Sequence, residues 1–251
     1  MFSIVQNSPL KFLRPIVRIL ERFLNFLYPQ LCLGCQSPLK FNESLYCTNC
    51  IPKLPLLRCY CQRCGTPLSD NLLEYVAPST LRYCHNCHEG DFPLERVYAA
   101  FRYEEPLKSL IHRAKFGEDF VLAYQLGRLL KQVIDLPLRA YDLILPVPLS
   151  KERLRERGYN QSLLLLWGYG GLRKVPSILE RIKHTLPQSK LSAKEREKNI
   201  KGAFAVKDLV RDKRILLVDD VMTSGATLRE AAKVLKKVSA REVHALVLAR
   251  A

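Results

Sequence analysis

The chain has 251 residues, 48% of them apolar and 25% charged, with nine cysteines and a formal net charge of +16. That reads as a soluble globular protein of two modest domains or one large one. Its core is large enough to need no disulfides, and no stretch reaches the roughly 20 uncharged apolar residues of a membrane span. The charge is lopsided: residues 1–100 hold 10 basic and 7 acidic side chains against 30 and 17 in residues 101–251, so phosphate-bearing ligands, small or polymeric, are drawn mainly to the second part.

Residues 10–27 follow a helical period. Leu13, Ile16, Val17, Leu20, Phe23, Leu24 and Leu27 share one face, Lys11, Arg14, Arg18, Glu21, Arg22 and Asn25 take much of the other, and Pro29 closes the stretch. The interrupting charges and the lack of a small-residue cleavage site argue against a signal peptide. Residues 1–28 therefore form a basic amphipathic helix whose docking surface stays open: its own protein, a partner, or an anionic membrane.

All nine cysteines fall between residues 32 and 87. Cys32 and Cys35 are followed by Cys47 and Cys50; Cys61 and Cys64 are followed by Cys84 and Cys87. Each C-x-x-C folds into a knuckle whose thiolates point to one centre, and two knuckles complete a tetrahedral zinc site with no open position for catalysis. Gly34 and Gly65 stand where a knuckle favours a residue without Cβ. Two structural Zn2+ ions in a double zinc ribbon over residues 29–93 are expected, paired in chain order or interleaved. A disulfide framework is disfavoured without a secretion signal, and a redox pair would not need four copies. Cys59 is left over, and His85 and His88 flank the last knuckle.

From Leu94 the composition changes, which places a domain over residues 94–251. VYAAFRY reads as a strand, and Leu107–Val133 as two helices separated around Lys115–Glu118. Tyr141–Leu145 is a buried strand stopped by Pro146 and Pro148. The following KERLRERGYNQ supplies Lys151, Arg153, Arg155 and Arg157, guanidinium forks suited to a pyrophosphate, or else a solvated connection balanced by Glu152 and Glu156. A helix begins near Leu163 and should be ended early by Gly168, Gly170 and Gly171. Ile178–Ile182 reads as a strand, and Ala203–Val206 as a resumption of the sheet. Thr185–Gly202, polar and charged, has the composition of a mobile loop that closes over a site. Glu242–Ala249 is the last strand. Strands alternating with helices indicate an α/β, Rossmann-like parallel sheet.

Residues 214–237 carry the chemistry. Ile215–Val218 suits a strand buried on both faces. Asp219 and Asp220 follow, then Thr223, Ser224, Gly225, Ala226 and Thr227 turn into a helix with Leu228, Ala231, Ala232 and Leu235 on its apolar face. Small hydroxylated residues and a glycine let backbone N–H groups reach a phosphate at a helix start. The carboxylates accept hydrogen bonds from vicinal hydroxyls or bind magnesium. Phosphate on one side and a diol on the other describe a ribose 5-phosphate. The loop lacks the Gly-Lys-Ser/Thr of a Walker sequence, and a receiver-type acid pair would not explain its hydroxyls.

This loop resembles the 5-phosphoribosyl 1-diphosphate (PRPP) motif of type I phosphoribosyltransferases. PVPLSKERLRERGYNQ, TLPQSKLSAKEREKNIKGAF and ILLVDDVMTSGATL, preceded by paired C-x-x-C knuckles, together resemble the ComF family over about residues 28–251. That resemblance implies a zinc ribbon joined to a type I phosphoribosyltransferase domain, and a link to natural competence or DNA uptake. Carried onto this sequence, Asp219 and Asp220 would bind the ribose hydroxyls, directly or through Mg2+. Thr223–Thr227 would cradle the 5-phosphate, and Val147, Pro148, Leu149 and Ser150 would form the pyrophosphate loop. Arg157 and Arg196 would neutralise the leaving pyrophosphate, with Asp219, Asp220 and Arg196 as the catalytic set. Single-stranded DNA and DNA-uptake proteins at the inner face of the membrane are the expected partners, with a cytoplasmic place that can be peripheral to the inner membrane. The glycines at 168–171 and the extension before Leu10 depart from the family pattern. An enzyme and a single-stranded DNA-handling or scaffold protein whose phosphoribosyltransferase fold is a PRPP sensor without turnover are both open, because no acceptor-base signature is visible.

Overall fold

The computed structural model describes residues 29–68, 83–89, 92–117, 119–171, 176–183 and 193–251; the helix expected over residues 10–27 lies outside them. In chain order the elements are α1 (His85–Glu89), β1 (Arg96–Arg102), α2 (Leu107–Phe116), α3 (Phe120–Val133), β2 (Leu143–Pro146), α4 (Lys151–Arg157), α5 (Gln161–Tyr169), β3 (Leu179–Arg181), α6 (Ala193–Ile200), β4 (Phe204–Val206), β5 (Arg214–Met222), α7 (Ala226–Lys237) and β6 (Glu242–Arg250). No described helix is long and apolar enough to cross a membrane. Two compact units divide the chain between Cys50 and Ile51.

The first unit, described from Pro29, has little regular structure. Bridges join Leu31 to Pro38 and Ser44 to Tyr46. The buried Glu43 carboxylate ties two turns together, accepting from the backbone N–H of Lys40 and of Thr48, both at 2.8 Å.

In the second unit, β1, β6, β5 and β2 lie side by side in that order, every pair parallel. β5 and β6 are central, and Ile215–Val218 and Val243–Ala249 are buried throughout, as strands covered on both faces must be. Alternate residues (Val97, Ala99, Leu145, Ile215, Leu217, Val243 and Ala245) face Leu228, Ala231, Ala232 and Leu235 of α7. α5 packs on β5 and β2, and α3 on β6. Residues 55–62 run along the outer edge of β1: Leu57 N–H donates to Ala100 O (2.9 Å), Arg102 N–H to Pro55 O (2.7 Å) and Val97 N–H to Gln62 O (2.6 Å). That covers the one edge of β1 that β6 leaves open.

Several expectations are corrected. Phe204–Val206 does not rejoin the main sheet; β4 pairs antiparallel with β3 in a separate two-stranded ribbon. Ile178, Leu179, Ala203 and Phe204 bury themselves in the α7 side of the core, which is what holds that ribbon in place. Within the charged tract expected as a mobile loop, residues 193–200 form α6. Its run of helix formers is anchored by buried Ile200 and a Glu197–Arg229 ion pair to α7; residues 184–192 lie outside the description. KERLRER, for which the sequence set no element, is helical, because the Ser150 hydroxyl accepts from Arg153 N–H (3.3 Å) at the start and Gly158, at φ 73°, ends it.

Gly168 does not end α5 but lies inside it. A Cβ there would stand 1.9 Å from Tyr124 O, and one at Gly127 would stand 2.1 Å from Leu165 O. α3 and α5 therefore cross backbone to backbone, and Gly170, at φ 103°, supplies the cap. The crossing fixes the amino-terminal end of α5 beside the end of β5.

Candidate functional site

The cysteines assemble as two groups in chain order, Cys32, Cys35, Cys47 and Cys50 in one and Cys61, Cys64, Cys84 and Cys87 in the other. The four sulfurs of each lie within 4.8 Å of one another. Four thiolates at about 2.3 Å from one zinc stand roughly 3.8 Å apart, whereas a disulfide requires about 2.05 Å. Cys35 and Cys47 Sγ are 3.7 Å apart and Cys64 and Cys84 Sγ 3.6 Å, with no disulfide among them. The Gly34 and Cys47 N–H groups point at Cys32 Sγ (3.4 and 3.3 Å), as knuckle backbones do toward thiolate. The donor sets fit structural Zn2+. His85 belongs to neither group, the His88 side chain lies outside the description, and Cys59 is buried apart.

At the carboxyl end of the sheet, β5 carries Asp219 and Asp220 past its buried run. Asp219 Oδ1 accepts from Ser162 Oγ–H (2.9 Å) on the first turn of α5. Asp220 Oδ2 pairs with Lys115 Nζ (3.1 Å) at the end of α2. Burial, and then the adjacent Asp220 carboxylate, push the Asp219 carboxyl well above the ordinary carboxylate range; Lys115 and the Ser162 hydroxyl pull against this without cancelling it. The pair is thus a half-neutralised acid site. A vicinal diol or a divalent cation would find one carboxyl ready and another held by an exchangeable ammonium.

Beyond Met222 the loop Thr223–Gly225 leads into α7. Gly225 takes φ 76°, and a Cβ there would meet Met222 Cε at 2.6 Å. Ser224 Oγ accepts from Ala226 N–H (3.4 Å), and no acid stands in the first turn of α7. A positive helix end without its own counter-charge suits an anion. Val147–Ser150 runs next to β5, with Val147 N–H donating to Val218 O (2.9 Å) and Asn160 Nδ2–H to Val147 O (3.0 Å). Val147 and Ser150 are buried, Pro148 and Leu149 half-buried. Acid pair, hydroxyl loop and proline loop thus share one end of β5.

The arginines are placed differently. Arg157 turns along α4, donating from Nη1 to Gln161 Oε1 (3.1 Å) with its guanidinium 5.1 Å over the Phe116 ring. Arg196 lies on α6, its side chain outside the description. The sequence reading did not select Lys115, Ser162 or Arg181. Arg181 is buried on β3 with its guanidinium 5.8 Å from the centre of the Phe204 ring; burial, reinforced by Arg153, pulls it down to about 10, and Asp219 pulls the other way. A lone arginine in a three-residue strand and a lysine at a helix end carry no sequence signal. Ser162, two residues after the capping Asn160 (accepting at 2.9 and 3.4 Å), was the discoverable one.

The double zinc ribbon domain family matches residues 23–88 and the phosphoribosyl transferase domain family residues 169–251. Competence protein F of Haemophilus influenzae is 35% identical over 240 residues, covering 91% of this chain and 99% of that protein. The chain belongs to the ComF family. Other ComF relatives are DNA utilization protein YhgH of Salmonella typhimurium, 32% identical over 88% of this chain and 97% of that protein, and Competence protein ComFC of Streptococcus pneumoniae, 26% identical over 84% and 90%. The architecture is accordingly the ComF one, a Cys-rich double zinc ribbon ahead of a parallel-sheet phosphoribosyltransferase fold.

Proposed function

We propose that this chain binds PRPP with Mg2+ at the carboxyl end of β5 and serves DNA uptake. The observation that carries the reading is the Asp219–Asp220 pair beside a hydroxyl loop and a helix start free of acidic residues. Asp219 and Asp220 take the ribose hydroxyls, directly or through Mg2+, and Thr223–Thr227 take the 5-phosphate. Val147–Ser150 face the pyrophosphate, with Arg157 and Arg196 as its counter-charges. Loss of pyrophosphate builds positive charge on the anomeric carbon, where carboxylates below the ring help and cations on the diphosphate complete the arrangement. The names of the relatives, competence and DNA utilization proteins, supply the process, and the basic surface supplies the affinity for single-stranded DNA.

A second reading, a PRPP sensor without turnover, is favoured by one observation: Arg157 is held by Gln161 and Phe116 instead of being free for a diphosphate. Calorimetry with PRPP, with and without Mg2+, tests the binding. Pyrophosphate release across a panel of bases then separates enzyme from sensor. Unchanged PRPP binding after replacing both Asp219 and Asp220 by Asn overturns both readings.

A further inference from the structure

Four large aromatic side chains of α2, α3 and α5 stand in solvent: Phe116 and Phe120 are 59% exposed, Tyr124 42% and Trp167 37%. They form one surface. Phe116 carries the Arg157 guanidinium on its face at 5.1 Å. Arg157, Phe120, Arg155, Tyr159 and Leu164 line a single open cavity of about 610 Å3. Tyr124 follows Phe120 by one turn of α3, and Gly168 abuts the Tyr124 carbonyl, which brings Trp167 to the same ridge. Exposed aromatics in this number mark an interaction site. The cavity's charged lining is Arg155 and Arg157 against one acid, Glu156, so the surface is basic as well as aromatic.

We propose that this ridge, from the end of α2 across α3 to the α4–α5 corner, is a track for single-stranded nucleic acid. Bases stack on Phe120, Tyr124 and Trp167, and Arg155 meets the phosphates. Ring faces that accept any base, alternating with guanidinium groups, are what sequence-tolerant strand binding requires. A protein partner would use the same aromatics, but the charge excess of residues 101–251, 30 basic against 17 acidic, favours a polyanion. The assignment rests on the DNA reading above and places it on a surface beside the acid pair, to which Gln161 and Lys115 join it: Gln161 Nε2–H reaches Lys115 O at 3.5 Å.

Trp167 is the single tryptophan of the chain, so its emission reports on the ridge directly. Titration of the full chain with an oligothymidylate of about 20 nucleotides, longer than one stacking site, should quench that emission. Phe120→Ala and Tyr124→Ala should each weaken binding on the order of 10-fold while leaving PRPP binding and the melting curve unchanged. Arg155→Ala should lower the salt slope of log K by about 0.7, one phosphate's share for a single strand. Binding without quenching, and indifferent to Phe120→Ala and Tyr124→Ala, would move the DNA elsewhere on the protein and overturn the ridge while sparing the DNA reading. Absence of binding at low salt overturns both. Concentration-dependent self-association abolished by Phe120→Ala, with no oligonucleotide bound, makes the ridge a protein interface instead.

Discussion

The two four-cysteine groups have the same ligands and the same spacing of sulfurs, yet their surroundings differ. Around the first, a short chain is held by turns and by the Glu43 hydrogen bonds, and the nearby Leu31, Leu33 and Phe41 side chains stay in solvent. Around the second, the knuckle is part of the phosphoribosyl sheet. Gln62 O accepts from Val97 of β1, and Phe92 packs on Cys61, Cys64 and Cys87 while Arg229 of α7 lies 5.6 Å over its ring. One metal geometry thus serves two purposes, closing a small unit too poor in apolar residues to hold itself and completing the edge of a unit that already has a core.

The largest effect should come from breaking each group in turn. Cys87→Ser should cost the sheet unit more than about 4 kcal/mol, as loss of a metal site does, which is roughly 10 °C in melting temperature for a domain of this size. It should also weaken PRPP binding. Cys35→Ser should release one zinc and leave the main melting transition and PRPP binding where they were. Elemental analysis with calorimetry checks both variants; equal damage from the two would erase the distinction.

Gly168→Ala destabilises the sheet unit by a route that involves no metal. Its Cβ would overlap the Tyr124 carbonyl, and the helices can separate only by moving Ser162 away from Asp219. A loss of about 2–3 kcal/mol is expected, with two zinc ions per chain retained. Loss of zinc from this variant would mean that the second group depends on the sheet, and not the reverse.

That glycine also shows what a sequence can and cannot disclose. The acid pair, the hydroxyl loop, the strands and the pairing order of the knuckles were legible, because each depends on residues close in the chain and on a short-range rule of spacing. Gly168 was misread as a helix stop because its reason, the Tyr124 carbonyl, lies on another helix. Lys115 and Arg181 were missed for the same cause: Asp220, which pairs with Lys115, and Asp219, whose charge acts on Arg181, are 105 and 38 residues away from them. The antiparallel β3–β4 ribbon was folded into the main sheet for want of any local sign of its partner.

Charge sharpens the comparison further. Asp219 has its folded-state pKa raised by burial and by Asp220, so the folded protein holds a proton that the unfolded chain has released. Stability from this group is present at low pH and is lost as pH rises from the unfolded value, about 4, through the raised one. Asp219→Asn keeps an Oδ1 for Ser162 Oγ–H and Asp220 N–H. It should be more stable than the native chain by about 1–2 kcal/mol at pH 8, with the gap narrowing toward pH 6. The stabilised variant should nevertheless lose Mg2+-dependent PRPP binding. In the native chain the same titration should make any such binding strengthen between about pH 6 and 8, as Asp219 ionises. A native binding curve flat with pH would show that Asp219 is already ionised.

The smallest effect is the most specific to the link between the second knuckle and the Thr223–Gly225 loop. Arg250, at the end of β6, donates from Nη1 to Met222 O (3.2 Å) and from Nη2 to Thr66 Oγ1 (3.4 Å). Thr66 Oγ1 in turn lies 3.1 Å from Cys64 Sγ, close enough for its hydroxyl to donate to the thiolate, and Gly65 leaves only 3.3 Å between an added Cβ and Arg250 Cδ. Met222 immediately precedes the Thr223–Gly225 loop, and its side chain packs under Gly225. The guanidinium therefore ties the second knuckle to the loop by two long hydrogen bonds. Arg250→Lys can keep one of them but not both, since an ammonium lacks the fork. PRPP affinity should fall about 3-fold, the size expected when one weak charge-assisted bond acting through the backbone is removed. Both zinc ions should remain and the melting temperature should move little. Thr66→Val, which removes the acceptor on the other side, should weaken binding by a similar factor, and the double variant by no more than either alone if the two residues act as one link. Full additivity in that cycle would mean that the knuckle and the loop are neighbours without being coupled.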